Sequence, residues 1–313
     1  MTDAPRDDRT GPVVVLAGGT GGARLARGML DVVGADLVVV ANTGDDVEMY
    51  GAYVCPDPDL CAFWLADRID ERGWGLEGDT FCVMQGLRDL GVDVWFNLGD
   101  RDLAIGLRRA ERLAAGARLT DALAELTAAL GVRARVLPMC DRPVRTRVRA
   151  RGRWTPFQEF MIRDRAEGPV EDLAFDGIEQ AVAPPEVLEA IAAARAVIVG
   201  PSNPVISIDP ILGVPGIRAA LRDTAAPVVA VSPVVAGEVV KGPTAAFMAW
   251  AGRTLDAAGV ADHYRGLLRG LVTDEAAPAL DLPVLRTDTL MTDAAARERL
   301  ARETLTFALG LTA

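Results

Sequence analysis

Residues 13–22 read VVVLAGGTGG, and this stretch decides the fold of the 313-residue chain. The run VVVLA is short, continuous and rich in β-branched residues, which is typical of a parallel strand buried on both faces. Helical spacing follows over residues 23–33, and a second apolar run, LVVVA, occupies residues 37–41. Strand, glycine-rich turn, helix and strand together predict the first βαβ unit of a doubly wound α/β fold.

The rest of the chain extends this unit into a Rossmann-like, mostly parallel sheet with a helical region and a small inserted β-containing subdomain. Apolar runs at residues 196–199 and 227–231 predict further strands, and the arginine-rich alternation at residues 144–154 predicts antiparallel strands in the insertion. We therefore predict four segments: a disordered N-terminus over 1–11, a Rossmann-like core with a helical region over 12–132, the inserted subdomain over 133–190 and the second part of the core over 191–313.

Composition excludes several classes of function. A net charge of −11 and a pI near 4.7 argue against a nucleic-acid partner, since a phosphate backbone requires a basic surface. No apolar run approaches the roughly 20 residues that span a bilayer, and the polar start is not a secretory signal. The four cysteines form no C-x-x-C pair, which makes zinc and iron–sulfur sites poor candidates. We therefore expect a soluble cytoplasmic protein with no membrane partner.

The glycine-rich turn is the first candidate ligand site. Glycine allows close approach of the backbone to a phosphate, and a helix N-terminus supplies N–H donors and a positive dipole end. The spacing is not the dinucleotide fingerprint, because Arg24 occupies the third glycine position, and no Gly-Lys-Ser/Thr follows to make a Walker A loop. We interpret it as a phosphate- or nucleotide-binding loop of another kind. The alternative is a tight turn that binds nothing.

Carboxylates cluster after the second predicted strand. Asp45 and Asp46 end that strand, and Asp57 and Asp59 follow within the sequence CPDPD. One acidic residue at this point can bind a ribose hydroxyl. Several carboxylates in one crevice require a cation, and oxygen ligands beside phosphates suit Mg²⁺. Some of Asp45, Asp57 and Asp59 are thus predicted to bind Mg²⁺, unless the chain is merely rich in aspartate.

Two further loops carry polar groups. The sequence LGDRD at residues 98–102 places Arg101 between two carboxylates, either as a helix cap with a structural ion pair or as an arginine that faces the substrate. The sequence GPSNP at residues 200–204 follows a strand, and its prolines fix a loop in which Ser202 and Asn203 can bind phosphate or a base edge. Loops after parallel strands meet at one edge of a sheet, so we predict a single crevice there.

In this order the motifs resemble those of the 2-phospho-L-lactate transferases of coenzyme F420 biosynthesis. The resemblance covers nearly the whole chain, from about residue 12 to the closing helix. It rests on several short sequences: GGTGG at 18–22, NTGDD at 42–46, CPDPD at 55–59, LGDRD at 98–102, GPSNP at 200–204, VSP at 231–233 and DTLM at 288–291.

The resemblance implies an enzyme in which the ribityl hydroxyl of the deazaflavin Fo attacks the phosphate of a guanosine-diphosphate-activated three-carbon acid. GMP leaves, and a phospholactyl or phosphoenolpyruvyl group stays on Fo. It also implies Mg²⁺ as cofactor, a homodimer, and Asp45, Asp57, Asp59 and Arg101 as catalytic residues, the three aspartates also binding the metal. The implied substrate-binding residues are Gly18, Gly19, Thr20, Gly21, Gly22, Asn42, Asp46, Asp100, Asp102, Ser202, Asn203, Ser232, Asp288, Thr289 and Met291.

One position departs from the family pattern. Many relatives have leucine where this chain has Pro58, and the proline stiffens the turn between two carboxylates, which leaves open which aspartate binds the metal.

Two other functions fit some of these motifs. A related family of UDP-sugar-binding regulatory proteins, described as gluconeogenesis factors, shares the glycine loop and the aspartates. An NAD(P)-dependent oxidoreductase would need the missing third glycine. The motifs at 98–102, 200–204 and 288–291 favour the transferase.

Overall fold

The computed structural model describes residues 10–235, 238–239, 242–276 and 280–311. The strands found in these residues are β1 (Val13–Ala17), β2 (Leu37–Ala41), β3 (Val47–Met49), β4 (Ala52–Val54), β5 (Arg135–Pro138), β6 (Arg145–Ala150), β7 (Arg153–Pro156), β8 (Asp172–Asp176), β9 (Ala196–Val199), β10 (Val228–Val231), β11 (Val234–Val235), β12 (Glu238–Val239), β13 (Gly270–Thr273) and β14 (Val284–Arg286). The α-helices are α1 (Gly19–Val33), α2 (Pro56–Leu65), α3 (Cys82–Asp89), α4 (Asp100–Ala114), α5 (Leu119–Ala129), α6 (Phe157–Ile162), α7 (Pro185–Ala192), α8 (Asp209–Gly213), α9 (Ile217–Asp223), α10 (Thr244–Trp250), α11 (Ala257–His263) and α12 (Ala294–Gly310).

Seven of the strands form a parallel sheet in the order β14-β13-β10-β9-β1-β2-β5. β1 lies between β2 and β9, with Val13 opposite Leu37 on one side and opposite Ala196 on the other. From β1 the chain winds outward through β2 and β5, then returns to β9 and winds the opposite way. The switch in direction between β1 and β9 is where open α/β sheets bind ligands, and the predicted α/β class is confirmed.

Both faces of the sheet are buried, which explains the unbroken apolar runs of its strands. Val14 and Leu16 of β1 pack on one face with the insertion and with α7 to α11, whereas Val13, Val15 and Ala17 pack on the other face with α1, α2 and α12. All five residues of β1 are fully shielded from solvent. A strand in this position has no polar face to present.

Several helices begin earlier in the chain than the apolar spacing predicts. Apolar residues at helical spacing predict helix starts at Ala23, Leu60 and Leu103, but α1 begins at Gly19, α2 at Pro56 and α4 at Asp100. Acidic residues in the first turn, joined by proline in α2, are helix-start signals that extend α2 and α4 beyond their apolar stripes, whereas the first turn of α1 is made of glycine and threonine. The motifs GGTGG, PDPD and DRD therefore form helix first turns, not loops.

The insertion contains a three-stranded antiparallel sheet in the order β7-β6-β8. It begins later than residue 133, because β5 pairs with β2 in the central sheet. Residues 157–162, expected to continue the antiparallel strands, form helix α6 instead, whose Phe157 and Phe160 join the apolar core on one face of the central sheet. The insertion thus shares the core of the sheet.

Other elements have no counterpart among the predicted ones, among them the β3–β4 hairpin, β8, α8, α9 and β13. The disordered N-terminus predicted for residues 1–11 lies, except for residues 10 and 11, outside the described residues. Within the described part of the chain no single helix has the length and apolar composition to cross a membrane. One sharply bent pair, Pro204–Gly213 with Ile217–Asp223, passes that test only when the two are joined.

Candidate functional site

The glycine-rich turn and the loop after β9 are in direct contact at the switch point. The backbone N–H of Gly18 donates to the Ser202 hydroxyl over 3.2 Å. A Cβ at Gly21 would lie 2.1 Å from the carbonyl oxygen of Pro201, and one at Gly22 would lie 2.6 Å from Ser202 Oγ. Packing between α1 and this loop therefore requires glycine at both positions, whatever ligand is bound.

Asp57 is held at the N-terminus of α1. Its Oδ1 accepts from the Gly19 N–H over 2.7 Å, and its Oδ2 accepts from Asn42 Nδ2 over 2.9 Å. The Asn42 Oδ1 accepts in turn from the Gly44 N–H over 2.8 Å. Gly19 has a left-handed φ of +61°, and a Cβ there would meet no heavy atom within 4 Å, so this side of the turn is open. The predicted crevice thus brings together Gly18, Gly19, Asn42, Asp57 and Ser202.

Asp45 lies beside Asp57 as a second buried carboxylate. Burial raises the pKa of Asp45 well above its ordinary value, and the negative charge of Asp57 raises it further, against the hydrogen-bonding effect of Asn42. Its Oδ1 is buried and has no hydrogen-bond partner among the described residues. Burial also raises the pKa of Asp57 to about 6, against the hydrogen bonds from Gly19 and Asn42. The two carboxylates repel each other, and a cation between them would relieve that repulsion.

The insertion contacts the loop that carries Asp45. Gln158 Nε2 in α6 donates to the carbonyl oxygen of Asp45 over 3.1 Å, and the Thr146 N–H in β6 donates to the carbonyl oxygen of Gly44 over 2.7 Å. Neither residue carries a local sequence signal, because each depends on how the insertion folds back onto the central sheet. The position of Asp45 therefore depends on the insertion.

Asp46 points into a separate buried cluster. The Cys55 thiol donates to Asp46 Oδ2 over 3.1 Å. Burial raises the pKa of Asp46 to about 8, although Cys55 and the charge of Arg145 act in the opposite direction. Arg145 in β6 is itself tied to Glu48 over 2.7 Å and to the Tyr53 hydroxyl over 3.2 Å. This cluster joins the insertion to the β3–β4 hairpin.

Asp59 is paired with a buried arginine that the sequence reasoning missed. Both carboxylate oxygens of Asp59 accept hydrogen bonds from Arg109 in α4, and Arg109 Nη1 also donates to the Tyr53 carbonyl over 2.9 Å. Arg109 is only 3% exposed. The spacing of Leu103, Gly106 and Arg109 at every third residue places all three on the buried face of α4, and this was the available signal.

A metal site made of protein ligands alone is not found: no three His, Cys, Asp or Glu side chains within the described ranges are arranged to hold an ion. Asp45 and Asp57 form no ion pair within the described residues and remain suited to a hard cation, whereas the charge of Asp59 is already paired with Arg109. Mg²⁺ in enzymes is commonly held by one or two carboxylates together with substrate phosphates. Two carboxylates fit such a shared site.

The motif at residues 98–102 caps two helices. Asp100 accepts from the Thr80 hydroxyl over 2.5 Å and from the Cys82 and Val83 N–H groups over 3.0 and 2.9 Å, which caps α3. Asp79 accepts from the Arg101 N–H over 2.9 Å and so caps α4. Asp100 is thus bound within the helical region.

The Arg101 side chain is exposed, and its Nη1 donates to the Glu77 carbonyl over 3.2 Å. No ion pair joins it to Asp100 or Asp102 in the described structure. Asp102 is mostly buried, and burial raises its pKa to about 7, with the charges of Asp59 and Asp79 adding to the effect. The structural ion pair considered for Arg101 is therefore not formed, and its guanidinium stays accessible.

Asn203 and Ser232 shape the loops in which they lie. Asn203 Oδ1 accepts from the Val205 and Ile206 N–H groups over 3.0 and 3.3 Å, at the start of a π-helix over Pro204–Ile208. Single π-turns are frequent at functional sites. The Ser232 hydroxyl accepts from the Val234 N–H over 3.2 Å. Both loops follow strands of the central sheet, as predicted.

The motif at residues 288–291 follows β14, which three strands separate from β1. Asp288 is bound to Arg299, whose Nη2 donates to the Asp288 carbonyl over 2.7 Å, and Met291 packs in the core beside α12. The Thr289 hydroxyl is buried with no hydrogen-bond partner in the described residues. These residues stand apart from the glycine turn along the sheet edge.

The fold and the site define a class: a doubly wound α/β protein with a glycine-rich helix N-terminus and buried carboxylates at its switch point. Residues 13–301 match the family described as 2-phospho-L-lactate transferase CofD. The chain belongs to this family.

Curated relatives carry two names. A phosphoenolpyruvate transferase of Streptomyces coelicolor is 40% identical, over 95% of this chain and 98% of its own. A 2-phospho-L-lactate transferase of Methanosarcina mazei is 36% identical, over 92% of this chain and 98% of its own. A crystal structure of a UPF0052 family protein from Bacillus halodurans is similar in fold, with a TM-score of 0.56 and 18% identity over 97% of this chain and 91% of its own.

The family match confirms the resemblance drawn from the motifs. It confirms the prediction of a transferase of coenzyme F420 biosynthesis that acts on small molecules. The UDP-sugar-binding regulatory protein and the nicotinamide oxidoreductase lose their support, because the match extends over nearly the whole chain.

Proposed function

We propose that the chain transfers a phosphorylated three-carbon acid from its guanosine-diphosphate ester to the ribityl hydroxyl of Fo, releases GMP and requires Mg²⁺. The observation that carries the proposal is the pair of buried carboxylates, Asp45 and Asp57, at the N-terminus of α1. A cation and a diphosphate would together neutralise this pair and occupy the open side of the turn.

The first turn of α1 is the proposed site for the donor phosphates. The first N–H groups of a helix have no partners within the helix, and the helix dipole places positive potential there. Gly19 already donates to Asp57 and Gly18 to Ser202, which leaves the Thr20 and Gly21 N–H groups as the next donors along the turn. The bare backbone at Gly19 lets a phosphate approach closely.

Asp45 and Asp57 would hold the cation, and Asp59 positions the neighbouring helix through Arg109. When bound, Mg²⁺ would neutralise charge on the phosphate oxygens of the donor. The chain would bind and orient both substrates, since transfer of a phosphoryl group requires mainly positioning and charge stabilisation. In this proposal Ser202 and Asn203 face the nucleotide side, and Arg101 binds the acceptor or a phosphate.

The proposed donor carries the enolpyruvyl group. Identity to the phosphoenolpyruvate transferases of Streptomyces coelicolor and Streptomyces griseus is 40%, against 36% for the 2-phospho-L-lactate transferases of two Methanosarcina species. The deciding experiment incubates the purified protein with Fo, Mg²⁺ and each guanylylated acid in turn, and identifies the product by mass. Faster transfer of the enolpyruvyl group is expected. A preference for the lactyl donor would contradict the choice of acid, and no product from either donor would contradict the reaction.

We also propose a homodimer, on the resemblance to the family. Light scattering at several protein concentrations would measure the assembly. A measured mass equal to that of a single chain at every concentration would contradict the proposal.

A further inference from the structure

Two arginines lie against Trp64 on the side of the sheet that α1, α2 and α12 cover. The guanidinium carbon of Arg24 lies 5.3 Å from the centre of the Trp64 ring, and that of Arg297 lies 5.1 Å from it. A Cβ at Gly28 would lie 2.3 Å from the Arg297 carbonyl oxygen, so the glycine lets α12 approach α1 closely. Three helices thus hold two guanidinium groups beside one ring.

Acidic side chains balance the positive charge of this cluster only in part, because Asp31 and Asp67, whose charges also act on Arg297, are paired with another arginine. A third arginine, Arg27, is paired with Asp31 at 2.6 Å and with Asp67 at 2.7 Å. No carboxylate among the described residues lies within ion-pair distance of Arg24 or Arg297. Burial lowers the pKa of Arg297, and the charges of Arg27 and Arg24 lower it further. Like charges at this separation are unfavourable unless an anion accompanies them.

Hydrogen-bond donors in the cluster also lack acceptors. Trp64 is 7% exposed, and its buried indole Nε1 has no hydrogen-bond partner in the described residues. The buried Nε of Arg24 also has no hydrogen-bond partner in the described residues. Buried donors in folded proteins nearly always have a partner, so these two groups indicate an acceptor that the protein itself does not supply.

We propose that Arg24, Trp64 and Arg297 form a second anion site, which binds the phosphate or carboxylate group of a small molecule. Guanidinium groups offer paired N–H donors that match the geometry of an oxyanion, and the indole N–H adds one more. The site uses neither Asp45 nor Asp57 and does not rest on the proposed reaction. Arg24 follows Thr20 by one helical turn, so an anion here would tie α12 to the helix that forms the crevice.

Calorimetric titration with inorganic phosphate tests the site. The wild-type protein is expected to bind phosphate, and Arg297→Gln is expected to bind it at least about tenfold more weakly, because one of two guanidinium groups is lost. Trp64→Phe keeps the ring and removes the N–H, and it should also weaken binding. Arg302→Gln is the matched control, since Arg302 is an exposed arginine of α12 paired with Glu298.

A fourth variant separates this site from the crevice. Gly19→Ala alters the glycine turn, which is the proposed donor-phosphate site, without touching the arginines, so the phosphate binding that Arg297→Gln weakens should be retained in it. Absence of binding to the wild type, unchanged affinity in Arg297→Gln, or loss of binding in Gly19→Ala would each overturn the proposal. Thermal melts of every variant identify any that fail to fold, and Arg297→Gln and Trp64→Phe provide independent readings.

Discussion

Among single residues, the buried aspartates differ in what their oxygens contact. The oxygens of Asp59 are occupied by Arg109, and those of Asp57 accept from Gly19 and Asn42, whereas Asp45 retains a buried oxygen without a partner. These three aspartates and Asp46 all lie within residues 45–59. Asp46 belongs to a separate cluster with Cys55. Asp59 therefore has a structural partner, whereas Asp45 keeps an oxygen that would bind the proposed cation.

Asp45→Asn and Asp59→Asn test this division as a matched pair. Asp45→Asn is expected to slow transfer by about a hundredfold or more, near 2.7 kcal/mol in the barrier, while the melting temperature holds because Asp45 Oδ1 has no hydrogen-bond partner to lose among the described residues. Asp59→Asn leaves Arg109 buried without its partner and should lower the free energy of unfolding by about 3 kcal/mol. Steady-state rates and thermal melts measure both. A native rate for Asp45→Asn would remove it from the site.

Arg101 is the exposed residue on which the acceptor assignment depends. Arg101→Lys keeps the charge but loses the planar pair of donors, and we expect the transfer rate to fall at least about tenfold, near 1.4 kcal/mol in the barrier, with no change in melting temperature. Arg108→Lys is the control, because Arg108 lies on the same helix and pairs with Glu111 at the surface. Equal rates for the two variants would show that Arg101 does not touch substrate.

Among the elements, helix first turns carry most of the site. α1, α2 and α4 begin with glycine, with Pro-Asp-Pro-Asp and with Asp-Arg-Asp, and each start lies at or near the predicted crevice or its supporting pair. Helix starts present free N–H groups, which attract carboxylates and phosphates alike. The glycines serve two purposes: Gly21 and Gly22 allow packing on the loop after β9, and Gly19 leaves the turn open.

Gly19→Ala tests the open side of the turn, and Gly131→Ala is its control. Both residues have positive φ, +61° and +72°, and a Cβ at either would meet no heavy atom within 4 Å. Each variant should lose a similar stability, about 1–2 kcal/mol, from the left-handed backbone. Only Gly19→Ala should raise the KM for the guanylylated donor, by about tenfold, with the KM for Fo unchanged. A rise in both KM values would mean that the turn does not distinguish the substrates.

At the scale of the whole molecule, a small group of carboxyl groups lies buried or mostly buried in the fold. Burial raises the pKa of Asp46 to about 8, that of Asp57 to about 6 and that of Asp102 to about 7. A carboxyl group with a raised pKa in the folded state stabilises the fold below its unfolded pKa, and that stability is lost as pH rises through the folded pKa. Cation binding to the folded state would restore part of it.

We therefore expect the melting temperature in EDTA to fall as pH rises from about 5 to about 8.5. The melting temperature of Asp102→Asn should fall less steeply with pH near pH 7, because this variant lacks one carboxyl group with a raised pKa. The substitution breaks no hydrogen bond at Asp102 Oδ1, which has no partner in the described structure. Differential scanning calorimetry across this range, with and without Mg²⁺, provides the measurement. A melting temperature that rises steadily with pH would contradict the assignment of buried, protonated carboxyl groups.

The parallel sheet and the edge where the site lies could be predicted from sequence, because both follow from short-range patterns. Buried strands such as residues 13–17 are apolar throughout, and the turns after them are polar and rich in glycine. Strand β13 and the β3–β4 hairpin escaped prediction, since β13 begins with glycine and ends with threonine and β3 contains Glu48, so neither has the unbroken apolar run that predicted β9 and β10.

The sequence by itself determined the fold class, the family and the set of candidate residues. Only the tertiary structure decided which of them meet. Ser202 reaches Gly18 across 184 positions of the chain, and Arg109 reaches Asp59 across 50. Local patterns record whether a residue is polar or apolar, but pairing and burial depend on where distant segments pack. That is why Asp45, Asp57 and Asp59 look alike in sequence and differ in their hydrogen-bond partners in the folded protein.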